Sequence, residues 1–348
     1  MKLSSVEPKD MPAAGSGGNT NGRARYVRRL VGWPVADAGL APGYGAMFNP
    51  GLMFHEGEFH LFARAVRSGY RRNPAPGDRF VDYLSDIVVL TSKDGIRYRF
   101  GYVLAPAGTS GAACFEDPRV QRVATPTGEA VVMTYTFLPP AGSGKPWRIG
   151  AHKLSWSEGR FWLQAGSGRI LGPEGVPDKD AVVFSLTDGR VALVHRVHPN
   201  IQIAIFDDLD ELFDPREGYW PSYMEDLASH TLLAPSRGAL GVGAGAPPVE
   251  TEKGLLFFFH ERRADGSYTM NLALLDPSTG QVLSRLPGAV LEPEMPWERH
   301  GDVDEVVFVQ GAHRDRDTLY LTYGAADRYV GAATASVSEL LSALAEAA

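Results

Sequence analysis

The chain reads as an all-β protein, a five-bladed β-propeller with a polar N-terminal tail and a short C-terminal helix. Three observations lead there. One hairpin pattern recurs five times, it recurs at a nearly regular interval, and helical periodicity is almost absent before residues 336–347.

The first copy is Gly51-Leu52-Met53-Phe54, a turn at Glu56-Gly57, then residues 59–64. The second opens with Arg119-Val120-Gln121-Arg122-Val123, turns near Thr127-Gly128 and continues through 130–136. The third is Ala181-Val182-Val183-Phe184, a turn at Asp188-Gly189, then 191–196. The fourth is Pro247-Pro248-Val249-Glu250, a turn near Lys253-Gly254, then 255–260. The fifth is Val306-Val307-Phe308-Val309, a longer turn through Arg314-Asp315, then 319–323. Each joins a short apolar run to a β-branched or aromatic run through a Gly- or Asp-containing turn, which is a hairpin signal. A more amphipathic pair follows, clearest at 87–90, 149–154, 201–206 and 271–275, so each unit has four strands. The copies begin near residues 51, 119, 181, 247 and 306, at intervals of 68, 62, 66 and 59. A four-stranded sheet cannot bury both faces alone, whereas such sheets packed radially can. A pair of two-sheet sandwiches would explain the strands but not the interval. Ser338-Glu339-Leu340-Leu341 marks the terminal helix.

The 348 residues are 44% hydrophobic and 22% charged, enough for a large core. We expect a disordered tail over 1–21 and a single propeller domain over 22–348. A net charge of −7 gives no attraction to nucleic acid or to an acidic membrane, and neither is expected as a partner. The single cysteine excludes an intramolecular disulfide framework and a thiolate zinc cluster. Cys114 is expected to be a buried small hydrophobe. The tail has no apolar signal region and no run reaches membrane-spanning length, so a cytoplasmic protein is the expectation. No metal is expected: His195 and His198 fall at i and i+3 of a strand-like run, on opposite faces. A homo-oligomer remains open.

In a propeller the first strand of every blade lines a central channel, so polar residues at equivalent ends of the repeats converge. The key stretch is Cys114-Phe115-Glu116-Asp117-Pro118-Arg119-Val120. Pro118 removes a backbone donor and biases Asp117 away from helix, which aims its carboxylate, while Arg119 can hold a carboxylate in a fixed fork. Alone, this stretch is equally a turn at the head of a strand with a surface ion pair. Other candidates sit at the same ends of the hairpins: Asn49 and Arg64, Arg148, Lys179 and Asp180, His195 and Arg196, His260, Glu298 and Asp327. Cations beside one aimed carboxylate suit an oxyanion ligand next to a proton donor.

Asn49-Pro50, Arg64-Ala65, Glu116-Asp117-Pro118-Arg119, residues 133–136, Lys179-Asp180, His195-Arg196, residues 243–248, Leu274-Leu275-Asp276 and residues 323–327 stand in the order of the motifs of glycoside hydrolase family 130. The chain resembles that family, the inverting β-mannoside phosphorylases, from about Asn49 to Ala335. The resemblance implies a five-bladed propeller that cleaves a β-mannosyl di- or oligosaccharide with inorganic phosphate to give α-mannose 1-phosphate. No cofactor is implied; phosphate is a co-substrate. Asp117 matches the general acid, which in the family acts through the 3-hydroxyl of the mannosyl unit. Arg148, Lys179 and Arg196, with His195 nearby, match phosphate-binding positions. Asn49, Arg64 and Asp327 match residues that hold the mannosyl ring, and Glu116, Asp180 and His260 join them as sugar-binding candidates. A phosphorylase needs no second carboxylate to activate water, because phosphate is itself the nucleophile. The spare acids Glu298 and Glu305 keep an inverting β-mannosidase open as the alternative, and a non-catalytic glycan-binding propeller stands behind it. Residues 67–83 form an insertion-like loop on the expected acceptor side, and Asp302 and Asp304 stand where less charge is expected.

Overall fold

A computed structural model describes residues 26–74, 79–109, 111–140 and 142–347. The tail assigned to residues 1–21 lies outside the described residues. The five repeats form five antiparallel sheets around a central channel. Blade 1 runs outward from Tyr44–His55 through Glu58–Arg67 and Ser85–Ser92 to Arg99–Ala105. Blade 2 contains Cys114–Thr125, Gly128–Leu138, Arg148–Ser157 and Arg160–Leu163, and blade 3 contains Lys179–Ser185, Val191–Arg196, Ile201–Phe206 and Thr231–Leu233. The inner edge of blade 4 is split between Ala239–Ala244 and Val249–Thr251, both paired with Gly254–Arg263.

Blade 5 closes the ring. Its outermost strand is Val27–Arg29, which pairs with Tyr329–Ser336, next to Thr318–Ala325 and Val307–Asp315. The two ends of the described chain are thereby joined in one sheet. Residues 27–29 are too short to show alternation, and nothing in their sequence predicted this strand.

Burial follows the radial arrangement. Five hydrophobic clusters each fill one junction between neighbouring blades. The junction of blades 1 and 2, for example, packs Phe62, Val89, Phe115 and Phe161. Each such side chain contributes about 1.5–3 kcal/mol by leaving water. The terminal helix Val337–Glu346 lays Leu340, Leu341 and Leu344 on the junction of blades 4 and 5. Its first turn is capped by Ser336, whose hydroxyl accepts from the Glu339 amide. Two helices the periodicity did not announce, Leu209–Phe213 and Tyr219–Glu225, lie in the link before the last strand of blade 3.

Inner strands begin earlier than the sequence indicates, because three continue through a bulge. Pairing slips between Phe48 and Gly51, between Glu116 and Arg119, and between Lys179 and Val182. Pro50 and Pro118 therefore sit inside strands, at bulges where a missing donor is tolerated.

Glu298 belongs to the closure. Its side chain is fully buried and accepts from Arg29 Nε and Nη2 at 2.7 Å and from the Tyr323 hydroxyl at 2.8 Å. Arg29 also reaches Glu294 and the Glu292 carbonyl. Replacing Arg29 with Met strands a buried carboxylate, and we predict a loss of about 3–5 kcal/mol in denaturant unfolding. A loss below about 1 kcal/mol would show that this pair does not secure the closure.

Candidate active site

The bulges set the geometry of the channel mouth. Asn49, Asp117 and Asp180 adopt φ values of 48°, 52° and 56° at the three register shifts. Asn and Asp tolerate this left-handed region better than other side chains. Each turns its side chain out of the pleat, and the three are buried close to one another.

Asp117 is the best held. Its Oδ1 accepts from Asn49 Nδ2 at 2.9 Å and from Arg64 Nη1 at 3.1 Å. Arg64 Nη2 also bonds the Glu116 carboxylate, and donates to the Tyr83 hydroxyl at 2.5 Å. Gly324 makes room, since a Cβ there would lie 1.8 Å from Asn49 Oδ1. Burial pushes the Asp117 carboxyl up, but Arg64, Lys179, the Asn49 hydrogen bond and Arg119 outweigh it and hold the group below the usual range. Its neighbours move the other way. Burial raises Glu116 against the pull of Arg64. Burial, helped by the Asp117 charge, pushes Asp327 up to about 6 despite Arg64 and Arg79.

A second group lies across blades 2, 3 and 4. Arg119 is fully buried and donates to Asp180 Oδ1 at 3.3 Å and to the carbonyls of Ala244, Gly245 and Asp117 at 2.8, 2.8 and 3.0 Å. Arg196 Nε lies 3.0 Å and His260 Nε2 3.7 Å from Asp180 Oδ2. Burial pushes Asp180 up, and Arg196, Lys179 and Arg119 pull it further down, so it stays ionised. Burial, reinforced by Arg196 and Arg119, drops His260 to about 3, which leaves it neutral. Lys179 is half-buried and makes no hydrogen bond or ion pair among the described residues, yet its charge acts on Glu116, Asp117, Asp180 and Asp327.

The structure thus brings Asn49, Arg64, Glu116, Asp117, Lys179, Asp180, Arg196, His260 and Asp327 together. It places His195 elsewhere. That ring is fully buried with Nδ1 2.8 Å from Asp178 and Nε2 2.9 Å from the Tyr223 hydroxyl, which leaves no nitrogen for a ligand. Arg148 is turned toward backbone: Nη2 donates to the carbonyls of Gly172 at 2.8 Å and Leu171 at 3.2 Å, and the charges that act on it are Asp178 and Glu174. Glu298 is locked in the blade 5 closure, and Glu305 is a half-exposed partner 3.9 Å from Arg299. Cys114 is buried, its thiol donating to the Tyr83 carbonyl at 3.4 Å.

Sequence reasoning missed Tyr83. It ends the 67–83 loop, stacks on Phe80 at 5.5 Å and meets Tyr70 edge-on at 5.6 Å. Tyr70 bonds Asp302, which also accepts from Arg328 at 3.1 Å. The loop thereby ties the Arg64 side of the site to the segment carrying Asp327, and Asp302 anchors it.

A family model described as β-1,4-mannooligosaccharide phosphorylase, glycoside hydrolase family 130, matches residues 32–346. A β-1,2-mannobiose phosphorylase of Thermoanaerobacter sp. (strain X514) is 31% identical, over 83% of this chain and 89% of its own. A 1,2-β-oligomannan phosphorylase of the same organism is 27% identical, over 85% and 91%. A solved β-1,2-mannobiose phosphorylase from Listeria innocua, in complex with β-1,2-mannobiose, superposes with a TM-score of 0.72 at 21% identity, covering 92% of this chain and 99% of that one.

Removing the amide that donates to Asp117 disfavours its charged form. In Asn49→Ala we expect the Asp117 carboxyl, followed by carbon-13 NMR, to titrate at higher pH than in the unmodified protein. A midpoint that stays put or falls would show that Asn49 does not support the carboxylate.

Proposed function

The chain belongs to glycoside hydrolase family 130, and on that footing we propose that it is an inverting β-mannoside phosphorylase acting on β-1,2-linked mannobiose or short mannan. The linkage rests on the relatives that span most of the chain, both named for β-1,2 bonds. The observation that carries the phosphorolytic reading is Lys179: a half-buried cation with no protein partner among the described residues, poised beside Arg196 and within electrostatic reach of Asp117. A charge so placed fits an anionic co-substrate.

In this reading the mannosyl ring sits against Asn49, Arg64 and Asp327. Phosphate sits on Lys179 and Arg196, whose charge holds it in line with the anomeric carbon and offsets charge developing in the transition state. Asp117 protonates the leaving oxygen through the 3-hydroxyl of the mannosyl unit, and phosphate adds on the opposite face, with inversion. Neither Glu298 nor Glu305, the acids set aside for activating water, stands in this group. Arg148 and His195 contribute by bracing backbone and the Asp178 region. A cytoplasmic location, with no organic or metal cofactor, completes the proposal.

With β-1,2-mannobiose, the protein should form mannose 1-phosphate only when phosphate is supplied. Equal release of free mannose with and without phosphate would make it a hydrolase instead. Lys179→Ala should raise the Michaelis constant for phosphate and cut kcat/KM for phosphate about 10- to 100-fold, the loss of ~1.5–3 kcal/mol expected for one charge-assisted contact. Unchanged phosphate kinetics in this variant would remove Lys179 from the anion site.

A further inference from the structure

The phosphorylase reading, on which this inference rests, leaves one difficulty. The acid that must give up a proton is tied, in the ligand-free protein, to two donors that favour its anion. The arrangement of charges supplies a way out. Glu116, Asp117 and Asp327 share one buried pocket with Arg64, and Arg79 acts on it from the 67–83 loop. The Tyr83 phenol faces Arg64 and is pushed far up by burial, so it does not exchange protons near neutrality. Asp180 is committed to Arg119 and Arg196, and His260 beside it is neutral. Lys179 alone is uncommitted, and it acts on both groups.

A dianion on Lys179 and Arg196 cancels the field that keeps the carboxyls ionised. Little water is present to screen the added charge, and the three acids cannot all remain anions beside it. We infer that phosphate loads the acid: as the dianion settles on Lys179 and Arg196, one proton passes from solvent onto the set formed by Asp327, Glu116 and Asp117, and that proton later goes to the leaving oxygen. Asp327, whose carboxyl already lies closest to neutrality, is its first holder. The balance closes. The loaded proton leaves on the hydroxyl of the shortened sugar, the C–O bond to mannose breaks as the O–C bond from phosphate forms, and the proton of hydrogen phosphate returns to solvent. Turnover consumes no net proton, while binding alone takes one up, so phosphate affinity rises as pH falls.

Calorimetric titration of the full chain with inorganic phosphate, at neutral pH in two buffers of different ionisation heat, reads the proton count directly. After subtraction of the anion's own ionisation, uptake of about one proton per phosphate is expected. In Asp327→Asn the uptake should fall to less than half of that. Phosphate binding without proton uptake overturns this inference and leaves the phosphorylase reading standing. Absence of phosphate binding overturns both. Full uptake retained in both Asp327→Asn and Glu116→Gln places the proton elsewhere and also overturns it.

Discussion

The guanidinium of Arg119 holds the site in place. It is fully buried at the channel and spends its bonds on blade 2 through the Asp117 carbonyl, on blade 3 through Asp180, and on blade 4 through the carbonyls of Ala244 and Gly245. A charge taken out of water costs several kcal/mol unless such bonds replace its hydration. Here they do, and the replacement partners are pieces of three blades. Arg119 therefore fixes how far Asp117 stands from the Asp180 group. Blade packing alone, being non-directional, could not set that distance.

Around this cation the chain accepts backbone strain in a repeated form. Asn49, Asp117 and Asp180 occupy the left-handed region in the inner strands of blades 1, 2 and 3, at a cost on the order of 1–3 kcal/mol each. The gain is direction. A regular strand would point these side chains along the pleat, whereas a bulge turns them into the channel. Opposed charges then divide the mouth into a carboxyl-rich side around Arg64 and a basic side around Asp180. Lys179 stands between them without a partner of its own among the described residues.

Much of this was legible beforehand, for physical reasons. Hairpin turns recur because every blade solves the same burial problem, so the strand count and the ring could be read from spacing. Asp117-Pro118-Arg119 was conspicuous because proline inside an apolar run demands an explanation, which the bulge supplies. Other features left no periodic trace. Val27–Arg29 is too short to alternate, yet it closes the ring. His195 looked like a ligand because it adjoins Arg196, but successive strand residues face opposite sides, and His195 turns inward to Asp178. Glu298 resembled a spare base because its partner Arg29 lies 269 residues away. The small residues at 243–245 had no evident role until the structure placed their carbonyls on Arg119 and the absent side chain of Gly243 beside Asp180. Tyr83 lies in a loop, where pattern carries no information.

The central claim is spatial: an anion site made by Lys179 and Arg196 shares one cavity with the Asp117 carboxyl. A crystal structure of the protein with phosphate and a β-1,2-mannobioside bound tests it most directly. The account predicts phosphate density in contact with the Lys179 ammonium and the Arg196 guanidinium, on the face of the mannosyl ring opposite the leaving oxygen. Phosphate bound at another rim, with those two side chains still unliganded, would contradict it.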